Sequence, residues 1–223
     1  MKTTCGNNNR LGSFDFVFCL ACFGLMLPVL ASFGCSSANS QAHEVVRAGE
    51  GLGSTAGISD LFDLKKRSLN PFQATDAKAI VFVFVRTDCP ISNRYAPEIQ
   101  RLFMKYAPQG IAFWLVYSDP DTRPAEISSH TKEYQLSLGV LLDPRHALVK
   151  KAGVCVTPEV AVFFPDGREV YRGRIDNRHI DFGKERPAPT QQDLDEALIS
   201  ILSGKPVTNP TTRAVGCYIP ELP

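Results

Sequence analysis

One cysteine stands where a buried strand is predicted to give way to a helix. In "VFVFVRTDCPISNRYAPEI", Cys89 follows an apolar, β-branched run and precedes apolar positions at helical spacing. Pro90 suits the first helical position, because its missing N–H would be unpaired there anyway. Unpaired amides and the helix dipole at such a terminus favour a thiolate. The pattern predicts a reactive thiol, and the alternative is an inert, buried cysteine.

The residues around Cys89 give opposing signals about its ionisation. Ser92 lies one helical turn further on and is predicted to donate a hydrogen bond to the thiolate. A carboxylate from Asp88 would raise the cysteine pKa if it faced the sulfur, and Arg86 and Arg94 would offset it. The sequence does not decide whether these effects together raise or lower the pKa of Cys89.

The elements around this site alternate between strand and helix, which predicts an α/β fold with a central mixed sheet flanked by helices. The predicted strands are a short one in "SDLFDL", two buried ones in "AIVFVFV" and "IAFWLVYSD", another in "GVLLD" and a hairpin in "EVAVFFPDGREVYRGRID". The predicted helices after the first are "RPAEISSHTKEYQL", "HALVKKAG" and "TQQDLDEALISILSGK". The last is expected to be capped by Thr190 and to stop at Gly204.

The N-terminal segment has the pattern of an export signal. Lys2 and Arg10 precede the apolar run "FVFCLACFGLMLPVLASF". Three fates remain open: cleavage near "SSANSQA", lipidation at Cys35, or retention as an anchor, since ~18 apolar residues approach the length of a membrane span. We therefore expect an exported protein, periplasmic or envelope-anchored, that contacts the membrane only through this segment. The predicted organisation is a signal peptide or anchor (1–35), a linker arm (36–57), one domain (58–204) and a cysteine-containing tail (205–223).

Composition narrows the possible partners. The chain is 44% hydrophobic and 21% charged, as is typical of a globular protein. Without residues 1–35 it holds equal numbers of acidic and basic side chains, and no basic cluster stands out. Nucleic acid is therefore not an expected partner. No spacing of Cys or His matches a structural zinc site, so we expect neither a metal nor a cofactor. The four histidines are predicted to be solvated.

Beyond residues 1–35, three of the seven cysteines remain: Cys89, Cys155 and Cys217. An odd number in an oxidising compartment leaves at least one thiol free, lipidated or reactive toward a partner, unless the chain dimerises through it. Cys217 lies in the tail "TNPTTRAVGCYIPELP", whose stretch "AVGCYI" is too apolar for a disordered end and is expected to dock.

Two segments resemble the thioredoxin superfamily. "CPISNRYAP" is similar to the start of its active-site helix, with Cys89 and Ser92 at the two cysteine positions of the CxxC motif and Pro97 at the helix-kinking proline. "GVCVTPEVAVFFPDGREVYRG" is similar to its cis-proline loop and edge hairpin. The resemblance implies a cis bond between Thr157 and Pro158, which would position an incoming chain beside the reactive sulfur.

The extra segment "RPAEISSHTKEYQLSLGVLLD" resembles the redoxin branch of that superfamily, which comprises the alkyl hydroperoxide reductase / thiol-specific antioxidant group and exported thioredoxin-like proteins. The resemblance extends over roughly residues 60–204 and implies a thioredoxin-like fold with the redoxin-type insertion of a strand and a helix.

The sequence also departs from this branch. Peroxiredoxins carry their peroxide-reducing cysteine where Ser92 stands, after a threonine where Cys89 stands, so a peroxiredoxin-type peroxidase is not favoured. A copper chaperone of this fold needs a second cysteine at the position of Asn93. The missing CxxC partner also leaves a mixed disulfide at Cys89 without a neighbouring thiol to release it.

The remaining cysteines are the candidates for that release. Cys155 lies three residues before Pro158, and Cys217 would need the tail to return to the site; a packing role is the alternative for each. We predict an exported thiol-disulfide oxidoreductase of antioxidant or redoxin type, acting on protein or small-molecule thiols and disulfides. Cys89 would be its nucleophile, and Cys217 or Cys155 would resolve the mixed disulfide. The alternative is a non-catalytic thioredoxin-fold module that binds a partner in the cell envelope.

Overall fold

The central strand of the sheet is β1 (Ala79–Val85), and all seven of its residues are buried. Alternate side chains point to opposite faces of a strand. Val81, Val83 and Val85 accordingly join one apolar cluster, while Phe82 and Phe84 join another. A strand buried on both faces needs an unbroken apolar run, which explains the sequence of this segment.

The computed structural model describes residues 60–73 and 76–222. The predicted leader (1–35) and linker arm (36–57) lie outside the described residues, and their roles stay predictions. No helix in the described part of the chain is long and apolar enough to cross a membrane.

A five-stranded mixed sheet carries the fold. The remaining strands of this sheet are β2 (Ile111–Tyr117), β3 (Gly139–Leu142), β5 (Glu159–Phe163) and β6 (Glu169–Gly173). The order is β3-β2-β1-β5-β6. The first three strands are parallel to one another, whereas β5 runs antiparallel to β1 and β6 antiparallel to β5. This is the predicted mixed sheet, and it has the strand arrangement of a thioredoxin-like fold.

Helices cover both faces of the sheet. They are α1 (Pro90–Tyr106), α2 (Pro124–Glu133), α3 (Ala147–Ala152) and α4 (Asp193–Leu202). Buried side chains of α1, α2 and α4 pack on one face, and those of α3 pack on the other. Helix α2 and strand β3 form the insertion that the sequence predicted. This arrangement places the carboxyl end of β1 and the N-terminus of α1 at the same edge of the sheet.

Four further short strands lie outside the main sheet. β4 (Val156–Thr157) pairs with β9 (Cys217–Tyr218), and β7 (His179–Asp181) pairs with β8 (Lys184–Glu185). The apolar tail segment therefore docks, as its composition predicted.

Two local predictions were wrong. The strand expected in "SDLFDL" reduces to isolated bridges from Phe62 to Ser68 and Leu142. Helix α4 begins later than its predicted cap, with Gln192 as the N-cap residue. The Thr190 hydroxyl instead accepts a hydrogen bond from the Asn177 side chain at 2.8 Å, because the loop before α4 is organised around that asparagine.

Candidate active site

Cys89 caps the N-terminus of α1. Its backbone is extended, with φ −87° and ψ 110°, and Pro90 occupies the first turn as predicted. The backbone N–H of Ser92 donates a hydrogen bond to the Cys89 sulfur at 3.4 Å. The sulfur therefore takes the place of the side-chain oxygen that usually satisfies such an amide at a helix start.

The loop that carries Pro158 lies against this sulfur. The Thr157–Pro158 peptide bond is cis, as the resemblance implied. The Cys89 thiol donates a hydrogen bond to the Thr157 carbonyl oxygen at 3.0 Å. Cys89 is only 1% exposed and Thr157 is fully buried. These contacts place the sulfur at the junction of α1 and β4.

The C-terminal tail brings a second thiol to the same point. Strand β9 runs antiparallel to β4, with Cys217 opposite Thr157 and Tyr218 opposite Val156. The Cys217 thiol comes close enough to the Cys89 sulfur for each cysteine to shift the pKa of the other. Both cysteines are free thiols in this structure. Two residues 128 positions apart in the sequence thus form a dithiol pair.

Hydrogen bonds decide the ionisation of Cys89. Burial by itself raises the pKa of this thiol, but hydrogen bonds from Cys217, from the Ser92 hydroxyl and amide and from the Thr157 side chain outweigh burial, and the pKa falls below its ordinary value. The Ser92 hydroxyl is buried and makes no other hydrogen bond in the described part of the chain, so it is free to donate to a thiolate on Cys89.

Cys217 is shifted in the opposite direction. Burial, the hydrogen bond to Cys89 and the negative charge of Cys89 raise the pKa of Cys217 to about 11. Cys217 therefore keeps its proton at neutral pH, and Cys89 is the more acidic thiol of the two.

The charged residues whose effect the sequence left open are largely engaged elsewhere. Arg86 donates to the Asp88 carboxylate at 2.8 Å and to the Tyr218 carbonyl oxygen at 3.3 Å. Arg94 pairs with Glu185 on β8 at 3.0 Å. Asp88 is thus paired with Arg86, and the charges of the two residues act in opposite directions on the pKa of Cys217.

Cys155, the other candidate for release, is not a free thiol here. It is disulfide-bonded, and neither Cys89 nor Cys217 is its partner, since both are free. Its backbone N–H donates to Glu159 at 2.9 Å, and its carbonyl oxygen accepts from Ile219 at 2.9 Å. Its main-chain groups therefore support the cis-proline loop and the docked tail.

A buried polar chain behind the site was missed by sequence reasoning. Asn93 donates to the Thr87 carbonyl oxygen at 3.1 Å and bonds to His130 Nε2 at 2.9 Å. His130 Nδ1 bonds in turn to the Tyr117 hydroxyl at 2.8 Å. The chain ties the loop before Cys89 to α1, α2 and β2. Asn93, which occupies the position of a possible copper ligand, instead makes structural hydrogen bonds.

The prediction of solvated histidines was wrong for three of them. His130, His146 and His179 are each less than 9% exposed, and His43 lies outside the described residues. His146 Nε2 bonds to the Ser118 carbonyl oxygen at 2.9 Å, and the His179 ring packs on Tyr95 with centroids 5.2 Å apart. Histidine is polar, so a buried histidine does not contribute to the apolar periodicity from which burial is predicted. That periodicity could therefore not place these three rings in the interior.

The sheet order, the cis-proline and the cysteine cap of α1 define a thioredoxin-like protein of the redoxin branch. The model of the AhpC/TSA family matches residues 59–172, and the chain belongs to this family. Its departure from the peroxiredoxin pattern is equally plain, because the structure places Ser92 rather than a cysteine in the first turn of α1.

Solved structures share the architecture. An uncharacterized conserved protein from Geobacillus kaustophilus is 23% identical with a TM-score of 0.64, and the match covers 75% of this chain and 92% of that one. A hypothetical protein from Sinorhizobium meliloti 1021 is 24% identical with a TM-score of 0.62, and the match covers 73% and 92%. At these identities the likeness shows the fold. A search of curated proteins finds no significant match.

The hydrogen bond from Cys217 should be measurable through the titration of Cys89. We expect Cys217→Ala to raise the pKa of Cys89, since a donor to the thiolate is lost, so the thiolate absorbance appears at higher pH than in the wild-type chain. Cys217→Ser keeps a hydroxyl donor and should shift the curve less. Ultraviolet absorbance is followed against pH, and the curve of each variant carrying Cys89→Ser is subtracted. Identical curves for the alanine and serine variants would contradict the hydrogen bond.

Proposed function

We propose that this chain is an exported thiol-disulfide oxidoreductase in which Cys89 attacks and Cys217 resolves. The observation that carries the proposal is that β9 places Cys217 opposite Thr157, whose carbonyl oxygen accepts the hydrogen bond of the Cys89 thiol at the N-terminus of α1. Their opposite pKa shifts support distinct roles, because the thiolate rather than the thiol is the nucleophile.

In the first step the Cys89 thiolate attacks one sulfur of a substrate disulfide. The substrate S–S bond breaks, a mixed disulfide forms at Cys89, and the other substrate sulfur leaves as a thiolate that takes a proton from water. The amide and hydroxyl of Ser92 hold the attacking sulfur at the helix end. The nearby cis-proline loop positions the incoming chain.

In the second step Cys217 replaces the CxxC partner that the sequence lacks. Two of the causes that raise its pKa are the hydrogen bond to Cys89 and the Cys89 charge. Both causes disappear once Cys89 is in a mixed disulfide, so Cys217 loses its proton more readily at that point. Its thiolate attacks the Cys89 sulfur, releases the substrate as a thiol and leaves a Cys89–Cys217 disulfide.

This cycle transfers two electrons from the protein dithiol to the substrate disulfide. A dithiol of another molecule restores the reduced pair by the same exchange, and the opposite direction oxidises a substrate dithiol. The relative reduction potentials of the partners set the direction. Export is supported by the charged and apolar pattern of residues 1–35, and the proposed partners are thiols and disulfides of proteins or small molecules.

Turnover of a small substrate tests the proposal. Glutathione disulfide and a reduced peptide dithiol are mixed with and without the full chain, and the peptide disulfide formed is quantified over time. We expect catalytic amounts of the chain to accelerate the exchange through many turnovers. No acceleration, combined with binding of the peptide, would favour the non-catalytic envelope module instead.

A further inference from the structure

The docked tail occupies the position from which a chain can reach Cys89. Strand β9 is the partner of β4, and β4 includes Thr157 of the cis-proline pair. The Ile219 N–H donates to the Cys155 carbonyl oxygen, and the Tyr218 carbonyl oxygen accepts from Arg86. An extended polypeptide that pairs with this edge of β4 would need the same backbone groups.

The tail is also fastened upstream of this point. The Arg172 N–H donates to the Pro210 carbonyl oxygen, and the Thr212 N–H donates to that of Arg172, both at 2.9 Å. The Thr212 hydroxyl bonds to the Tyr171 hydroxyl at 2.8 Å and accepts from the Arg174 N–H at 3.1 Å. The tail is therefore anchored on β6 independently of Cys217.

Each position around Cys217 has a distinct environment. A Cβ on Gly216 would overlap the carbonyl of Thr157, so the backbone approaches there only without a side chain. Tyr218 is 73% exposed. Ile219 packs against the apolar cluster on the α3 face of the sheet. A strand paired with this edge of β4 can therefore carry glycine at the first position and cysteine at the second. The third position accepts any residue, and the fourth suits an aliphatic residue.

We propose that residues 216–219 act as an internal stand-in for the substrate. The substrates of this site are then extended polypeptide disulfides. In them the attacked cysteine follows a glycine and stands two residues before an aliphatic side chain. This inference rests on the proposed function. The tail and the substrate compete for β4: the tail leaves to admit the substrate strand, and its return displaces that strand while it delivers Cys217 to the mixed disulfide.

Peptide disulfides with a coloured leaving group test this specificity. The full chain with Cys217→Ser is mixed with the peptide AVGCYIP, whose cysteine is joined to thionitrobenzoate; attack by Cys89 on the peptide sulfur releases the coloured thiolate. We expect this peptide to react about tenfold faster than AVACYIP, because the alanine Cβ collides with Thr157. The exposed position is the matched control, so AVGCSIP should react at the rate of AVGCYIP.

Loosening the tail tests the competition. In the Cys217→Ser chain, Gly216→Ala forces the tail off β4, and Thr212→Val removes two hydrogen bonds at the remote anchor. Either change should accelerate reaction with AVGCYIP by about tenfold and reaction with glutathione disulfide by less than about threefold, since only the peptide needs the strand position.

The possible outcomes separate this inference from the proposed function. Equal rates for the glycine and alanine peptides, or no acceleration by either tail variant, would overturn the stand-in role if glutathione disulfide still reacts with Cys89. Failure of Cys89 to react with any of these disulfides would overturn the proposed function and this inference with it.

Discussion

Replacing Cys89 by Ser should abolish thiol-disulfide exchange, whereas replacing Cys217 by Ser should stop the cycle one step later. A serine hydroxyl cannot act as the thiolate nucleophile, so the Cys89→Ser rate should fall by at least about a hundredfold. The Cys217→Ser chain should react once with glutathione disulfide and remain as a mixed disulfide. Intact mass should show one added glutathione for Cys217→Ser and none at residue 89 for Cys89→Ser.

Each variant is the control for the other, because both replace one sulfur of the same pair by oxygen. Circular dichroism confirms that both chains keep the wild-type fold. If the Cys217→Ser chain turned over at the wild-type rate, Cys217 would have no part in releasing the substrate. If Cys89→Ser retained activity, the nucleophile would lie elsewhere.

A second large effect is expected from moving the resolving thiol into α1. Ser92→Cys in the Cys217→Ser chain should restore multiple turnovers, with at least about a hundredfold recovery over Cys217→Ser alone, because an adjacent thiol has a very high effective concentration. Position 92 is suitable: its amide lies 3.4 Å from the Cys89 sulfur, and the residue is only 2% exposed.

Ser92→Ala in the same Cys217→Ser background is the matched control and should give no recovery, since it supplies no thiol. Turnover is measured with glutathione disulfide and the reduced peptide dithiol. If the cysteine variant remained trapped as a mixed disulfide, release would be limited by something other than the missing second thiol.

The parts of the site that the sequence revealed are those fixed by local signals. The apolar run before Cys89, Pro90 after it and the helical spacing that follows are enough to place the sulfur at a helix start. The resemblance of the segment around Thr157 and Pro158 likewise indicated the cis bond. Each inference needs only a few neighbouring residues.

The remainder depends on long-range pairing. The tail sequence predicted that Cys217 would dock, but nothing in it specified pairing with β4 or the closeness of Gly216 to Thr157. The chain of Asn93, His130 and Tyr117 joins three elements through polar side chains. Such contacts leave no periodic pattern in the sequence.

The most direct test of the account is whether Cys89 and Cys217 form a reversible disulfide. The protein is equilibrated in glutathione buffers of increasing oxidising strength, alkylated, digested without reduction and analysed by mass spectrometry. We expect that peptides containing Cys89 and Cys217 become joined as the buffer becomes more oxidising and separate again on reduction. If both cysteines stayed alkylatable throughout, or if Cys89 joined a different cysteine, the proposed resolving role of Cys217 would be contradicted.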